Sequence, residues 1–233
     1  TYVSRISDEE NLRFSLPVKI MGLRRQTHRG GKSYRLGRNK DLHHLTGQDV
    51  RLINVGPSDR VAKGEYGYWI CSVCGGVRSP YSVDSVVEQF IEYHRDKCGK
   101  QPDPIGLSAD VTVDGLLFRK MAGLDDAINL GEVLKKASAN VIEMDVEDLQ
   151  VLFFPQNEDE VDLFLYDPMP GGSGLLKQII ENWEGVRSEG LAITNGCKQQ
   201  CDTACYECMK SYRNVFYHDA LDRHKSAEIL EQL

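Results

Sequence analysis

The sequence predicts an α+β fold: a mixed β-sheet covered by helices, preceded by a β-rich region and braced by two structural zinc sites. Three observations carry this reading. Short alternating apolar and polar segments recur between residues 12 and 70, residues 109–183 run strand, helix, strand, strand, helix, and all seven cysteines fall into two tight sets. The expected division is a β-rich region over 1–100 ending in a zinc finger of three cysteines and one histidine, and an α/β domain over 101–233 ending in a four-cysteine cluster.

In the first region, residues 12–21 (Leu-Arg-Phe-Ser-Leu-Pro-Val-Lys-Ile-Met) alternate as a strand does, a hairpin is expected through Gly30-Gly31, and strands over 50–55 and 66–70 complete it. Gly99 to Pro104, with one glycine and two prolines, reads as a connection. The second region opens on a strand over 109–118. A helix over 125–141 follows, with Ala127, Leu130, Val133, Leu134 and Ala137 at helical spacing. Strands over 148–154 and 161–166 come next. The latter runs into a glycine turn and an amphipathic helix with Leu175, Leu176, Ile179, Ile180 and Trp183. The sequence after the last cysteines reads as helical to Leu233.

Cys197, Cys201, Cys205 and Cys208 lie within twelve residues. Thiolates two or three residues apart on a tight turn converge on one tetrahedral zinc, at Zn–S of about 2.3 Å, whereas disulfides between such near neighbours are strained. The second set is Cys71-Ser-Val-Cys74 followed, after nineteen residues, by His94-Arg-Asp-Lys-Cys98. Val83, Val86, Val87, Phe90 and Ile91 continue at helical period into His94 and Cys98, which places both ligands on one helix face. Cys71 and Cys74 then sit on a knuckle, with Gly75 and Gly76 at its φ > 0 positions. Two zinc ions are the expected cofactors.

With 41% apolar residues and a net charge of −7, the chain has the composition of a soluble globular protein. No apolar run approaches the ~18 residues of a membrane span. No secretory leader is present, and the start at Thr1 without methionine suggests a piece of something longer. Cysteines kept as thiolates fit a reducing, cytoplasmic setting.

The charge is uneven. From Arg24 to Lys40 there are seven cationic side chains and no acid, whereas carboxylates concentrate over 143–148 and 158–162. Arg24, Arg25, Arg29, Lys32 and Arg35 with Tyr34 make either a phosphate-tracking hairpin or a solvated basic turn. Pro170-Gly-Gly-Ser-Gly174 invites a phosphate at the following helix, yet it lacks the Lys-Ser/Thr of a Walker A loop. Close packing of strand and helix explains its glycines better. Tyr212, Arg213, Asn214, Tyr217, His218 and Arg223 combine rings with cationic and amide donors, suiting either single-stranded nucleic acid or the support of the metal cluster. Of these, Arg213 and Arg223 are the candidate nucleic-acid contacts. Asp167, His218, Asp219 and Asp222 are the residues a hidden metal-dependent nuclease would use. Both cysteine sets already supply four ligands, the closed pattern of structural zinc.

The string Cys201-Asp-Thr-Ala-Cys-Tyr-Glu-Cys-Met-Lys-Ser-Tyr-Arg-Asn-Val-Phe-Tyr-His-Asp-Ala-Leu-Asp-Arg223 resembles the ending of a helicase-associated domain of unknown function. That domain closes MrfA-like DEAD/DEAH-box helicases and occurs in the DrmB component of the DISARM system. Leu163 to Leu175, with Asp167 and the glycine turn, is similar to the same family, as is the helix Leu130 to Ala137; the likeness covers roughly 108–233. It implies zinc on Cys197, Cys201, Cys205 and Cys208, and a noncatalytic module serving an ATP-driven DNA helicase motor, in cis or in trans, in DNA repair or phage defence. Its partners would be single-stranded or forked DNA and that motor. A protein-interaction scaffold docking a separate motor subunit is the alternative, and a nuclease a further one.

Overall fold

A computed structural model of the chain describes residues 20–24, 30–36, 40–55, 67–78 and 84–233. Among them, the elements run β1 (Ile20–Arg24), β2 (Gly30–Leu36), β3 (Lys40–Asn54), β4 (Tyr68–Ile70), α1 (Asp84–Cys98), β5 (Asp103–Ile105), β6 (Leu107–Met121), α2 (Leu124–Ile142), β7 (Gln150–Pro155), β8 (Val161–Asp167), α3 (Leu175–Glu181), α4 (Trp183–Asn195) and α5 (Arg223–Gln232). The strand expected over 12–21 lies outside the described residues except for Ile20 and Met21, which open β1. The α+β class holds, with an antiparallel sheet as its centre.

Two compact units result, one formed by Asn54–Leu107 and the other by Ile20–Ile53 with Ser108–Leu233. β3 pairs with β6, which draws β1–β3 into the sheet of the C-terminal half. Asp103–Ile105, expected as a linker, pairs back onto β4. Pro104 is tolerated there because the two-stranded ribbon leaves its missing N–H on an edge.

In the larger unit the strand order is β1-β3-β6-β8-β7, with β2 also paired to β3. The expected Gly30-Gly31 turn is instead the start of β2: Gly30 stands opposite Thr46, and Leu36 opposite Lys40. Glycine is needed because a Cβ on Gly31 would stand 2.9 Å from the His44 carbonyl oxygen on the facing strand. β8 lies between β6 and β7 and is buried at all seven positions, which explains its nearly continuous apolar run. The outer strands β1 and β7 lie against each other, so the sheet curls back on itself.

Each face of that sheet has its own core. Leu45, Val50, Val113, Leu117, Leu152, Phe154, Phe164 and Tyr166 fill one. On the other, Leu116, Phe118, Leu163 and Leu165 pack with α2, α4 and α5 through Leu130, Val133, Leu134, Val186 and Leu230. The period-2 alternation within β6 and β8 splits their side chains between the two. Helix α2 is buried on nearly every side, and Gly190 of α4 lets Leu230 approach so closely that a Cβ there would stand 2.8 Å from its Cδ1. The single amphipathic helix expected after the glycine turn is two helices, α3 and α4, joined at Asn182. No helix among the described residues is long and apolar enough to cross a membrane.

The Phe164 ring lies over Gly115, leaving no room for a Cβ. Gly115→Ala should lower stability by about 1–3 kcal/mol through overpacking, read as a lower urea midpoint. Adding Phe164→Leu should recover part of the loss.

Candidate metal centres

In the smaller unit, β4 leads directly into the knuckle. The Cys71 amide donates to the Gly76 carbonyl and the Gly75 amide to the Cys71 carbonyl, both at 2.8 Å. Gly75 takes φ +73° as expected. Gly76 does not need a positive φ; it is glycine because a Cβ would stand 2.6 Å from His94 Nε2 and 3.3 Å from Cys74 Sγ. Helix α1 supplies His94 and Cys98. The His94 Nδ1 lies 2.7 Å from the Phe90 carbonyl, which only accepts, so Nδ1 carries the proton and Nε2 is left for a metal. Val87 is buried beneath this face whereas Val86 is exposed, and Val83 lies outside the described residues. Donor atoms of Cys71, Cys74, His94 and Cys98 all lie within 4.8 Å of one another.

The second centre sits in the loop after α4. Its sulfurs are separated by 3.7 Å (Cys197–Cys201), 3.6 Å (Cys197–Cys205), 3.7 Å (Cys201–Cys208) and 3.7 Å (Cys205–Cys208). A regular tetrahedron with Zn–S of about 2.3 Å has edges of about 3.8 Å, while a disulfide would require about 2.05 Å. The donor set therefore fits zinc and excludes pairing among the cysteines. Two zinc ions, one for each set, are the cofactors.

Thiolate formation is prepared locally. The backbone amide of Cys201 pulls Cys197 down to about 6, and that of Cys74 pulls Cys71 down to about 7. Burial pushes Cys98 up to about 11 and raises Cys201. Zinc displaces the protons that burial would otherwise retain.

Residues around the four-cysteine centre hold it to the core. Arg223 reaches inward: Nε donates to the Cys201 carbonyl at 2.8 Å and Nη1 to the Thr194 carbonyl at 2.9 Å. Its guanidinium is thus directed to main-chain oxygens, one of them on a metal ligand. Asn214 is buried, donating to Glu132 Oε2 at 2.8 Å and to the Met209 carbonyl at 2.9 Å, while its Oδ1 accepts from the Ser211 amide. The supporting reading of Asn214 is the one the geometry shows. Tyr217 packs edge-on against Phe153, and His218 Nε2 lies 2.9 Å from the Ser211 carbonyl. Sequence reasoning missed Glu132 and Asn129. Asn129 donates to the Ala220 carbonyl and accepts from the Asp222 amide, tying α2 to the chain before α5. The sequence carries little signal for them, because α2 also holds Asp125, Asp126, Lys135, Lys136, Ser138 and Asn140.

The remaining basic candidates are described only in part. Arg25 and Arg29 lie outside the described residues, as does the side chain of Arg24. Lys32 and Arg35 are exposed on β2, but an odd separation along a strand points them to opposite faces. Arg35 pairs with Asp41 at 3.3 Å, and Arg213 lies 3.8 Å from Glu147.

The glycine turn is a carboxylate-held corner. Asp167 accepts from the Met169 amide at 2.9 Å and from the amide and hydroxyl of Ser173. Gly171, Gly172 and Gly174 have φ of +84°, +76° and +87°, so their identities follow from the backbone. Asp114 Oδ2 stands 3.0 Å from where a Gly172 Cβ would be. Two carboxylates at the turn oppose a phosphate. The nuclease candidates are likewise separately engaged: Asp167 in this turn, Asp222 capping α5 through the His224 amide, and His218 on Ser211. Among the described residues, only the two cysteine-based sets bring three or more metal-binding donors together.

These features define a zinc-braced α+β module with a curled antiparallel sheet. Residues 130–209 match the MrfA zinc-binding domain. It is similar to Druantia protein DruE of Escherichia coli, 26% identical over 218 residues, covering 80% of this chain and 12% of DruE. An uncharacterized protein of Methanocaldococcus jannaschii is 30% identical over 76 residues, covering 33% of this chain and 66% of that protein. The crystal structure of helicase MrfA bound to DNA shares the fold, with a TM-score of 0.53 at 13% identity over 92% of this chain and 25% of MrfA. The chain thus spans a small part of DruE and about a quarter of MrfA.

Cys205→Ser should remove one zinc per chain, measured by emission spectroscopy, and lower the thermal midpoint of the larger unit. Cys74→Ser should remove the other and leave that unit's transition in place. For both centres, the zinc-bound state holds fewer protons than the unfolded thiols. Stability is therefore present at neutral pH and lost as pH falls, and a chelating dye should report zinc release on acidification.

Proposed function

We propose that this chain is a noncatalytic accessory domain of an ATP-dependent DEAD/DEAH-type DNA helicase, or of its partner subunit, and assists DNA binding or strand separation in DNA repair or phage defence. The match of residues 130–209 to the MrfA zinc-binding domain carries this reading. The four-sulfur geometry of the same segment supports it. In this reading Cys71, Cys74, His94 and Cys98 hold one zinc and Cys197, Cys201, Cys205 and Cys208 the other. Both are closed sites that support structure. ATP hydrolysis comes from a motor in cis or in trans, and the setting is cytoplasmic.

DNA contact is assigned to the basic segment and to the four-cysteine loop with the helix after it: Arg24, Arg25, Arg29, Lys32, Arg35, Arg213 and Arg223. Single-stranded or forked DNA is the expected partner. A second reading, a scaffold that docks the motor, draws on Val73 and Val77, which the finger leaves largely exposed.

Fluorescence anisotropy with forked DNA across a salt series separates the two readings. Replacing Lys32, Arg35 and Arg213 together by alanine should weaken binding and flatten the salt dependence by roughly 0.7–0.9 in log–log slope for each lost phosphate contact. Unchanged affinity and slope remove these residues from the interface. Tight association with a helicase motor by a chain that binds no DNA selects the scaffold.

A further inference from the structure

The four-cysteine loop exposes large side chains that a metal clip does not require. Tyr206, Tyr212, Val215 and Phe216 are all exposed within eleven residues, with Tyr206 at 68%, Tyr212 at 52% and Phe216 at 44%. Their outward placement follows from what turns inward. Asn214 is buried on Glu132, and Tyr217 is held edge-on by Phe153, so Phe216 on the 3-10 turn Val215–Tyr217 faces out. Tyr206 packs edge-on against His218 at 5.6 Å between centroids. His218 is in turn bonded to the Ser211 carbonyl and Asn214 Oδ1, which sets Tyr206 beside the segment carrying Tyr212. The sulfurs at 205 and 208 pin this loop at its base.

We propose that Tyr206, Tyr212 and Phe216 form a stacking platform for the bases of single-stranded DNA, with Lys210 and Arg213 meeting its phosphates. This rests on the DNA-binding reading above and gives that reading a site. The charge favours it: Met209 to His218 carries Lys210 and Arg213 and no carboxylate, in a chain of net charge −7, with Glu207 and Asp219 flanking it and Glu147 at 3.8 Å from Arg213. Flat rings interleaved with cations suit a strand whose every base has a π-face, independent of sequence. Pinning by zinc reduces the loop entropy lost on binding.

The test uses the zinc-loaded chain, with anisotropy of fluorescein-labelled oligothymidylate and of a duplex. Tyr212→Ala and Phe216→Ala should each lower affinity for oligothymidylate about tenfold and leave the duplex nearly unaffected, while Tyr212→Phe keeps the ring and the affinity. Should an alanine variant lose zinc, photo-crosslinking of iododeoxyuridine DNA to the unaltered chain locates the contact, with adducts expected on Tyr206, Tyr212 or Phe216. Alanine variants that bind oligothymidylate as tightly as the parent overturn the platform, and adducts confined to β2 do the same. If those variants keep DNA affinity but lose a helicase motor, the patch is a protein surface and the platform is likewise overturned. An unaltered chain with no affinity for any DNA overturns the DNA-binding reading itself.

Discussion

Everything after α4 depends on four sulfurs meeting at one point. From Gly196 to Asp222 the chain has a single 3-10 turn and no helix or strand, yet it lies against the main core. A stretch of that length without regular structure is uncommon inside a compact unit, because its backbone entropy is not offset by a hydrogen-bonded ladder. Here the compensation is local: Cys197 and Cys208 are members of the core while their sulfurs are close to those of Cys201 and Cys205. Apparent metal-binding free energy of roughly 10–16 kcal/mol in zinc-finger peptides couples to folding and is ample to order such a loop.

The metal positions the loop, and buried polar side chains fix which way it runs. Asn129 and Glu132 on α2 meet the Ala220 carbonyl, the Asp222 amide and Asn214, residues that are remote in sequence. An unpartnered amide or carboxyl at those depths is costly, so the native loop path is favoured over others that bury the same apolar surface. Arg223 extends the constraint, joining the Cys201 carbonyl to the end of α4 through Thr194. Metal, asparagine and arginine thus act on one segment from three sides. Its neighbour α5, capped by Asp222, then packs through Leu230 against Gly190.

How much of this could be read from the chain differs by range of interaction. The helix over 125–141, the strands at 148–154 and 161–166 and both ligand sets were legible, because helical period, alternation and cysteine spacing are local signals. Gly30-Gly31 misled, since a glycine pair marks a turn and also marks a close approach between strands; only the opposing Leu45 and Thr46 decide which. The pairing of β3 with β6 joins segments more than fifty residues apart, and no local pattern records it. Arg223 shows the same limit in a side chain. Its bonds to the carbonyls of Cys201 and Thr194 reach residues 22 and 29 positions away, which no local pattern records.

The two zinc centres stand in different relations to their surroundings. Among the described residues of Asn54–Leu107, the buried apolar side chains are Cys71, itself a ligand, Val87 and Pro102. Where the described residues bury so little apolar surface, a metal supplies cohesion among them that packing supplies elsewhere. The larger unit already has two apolar cores, so its zinc orders one loop instead of the whole. Loss of metal at the finger unties the knuckle from α1, whereas loss at the four-cysteine centre frees the segment bearing Tyr206, Tyr212 and Phe216 while the sheet retains its packing. The same element therefore joins a turn to a helix in one unit and, in the other, sets the shape of a surface.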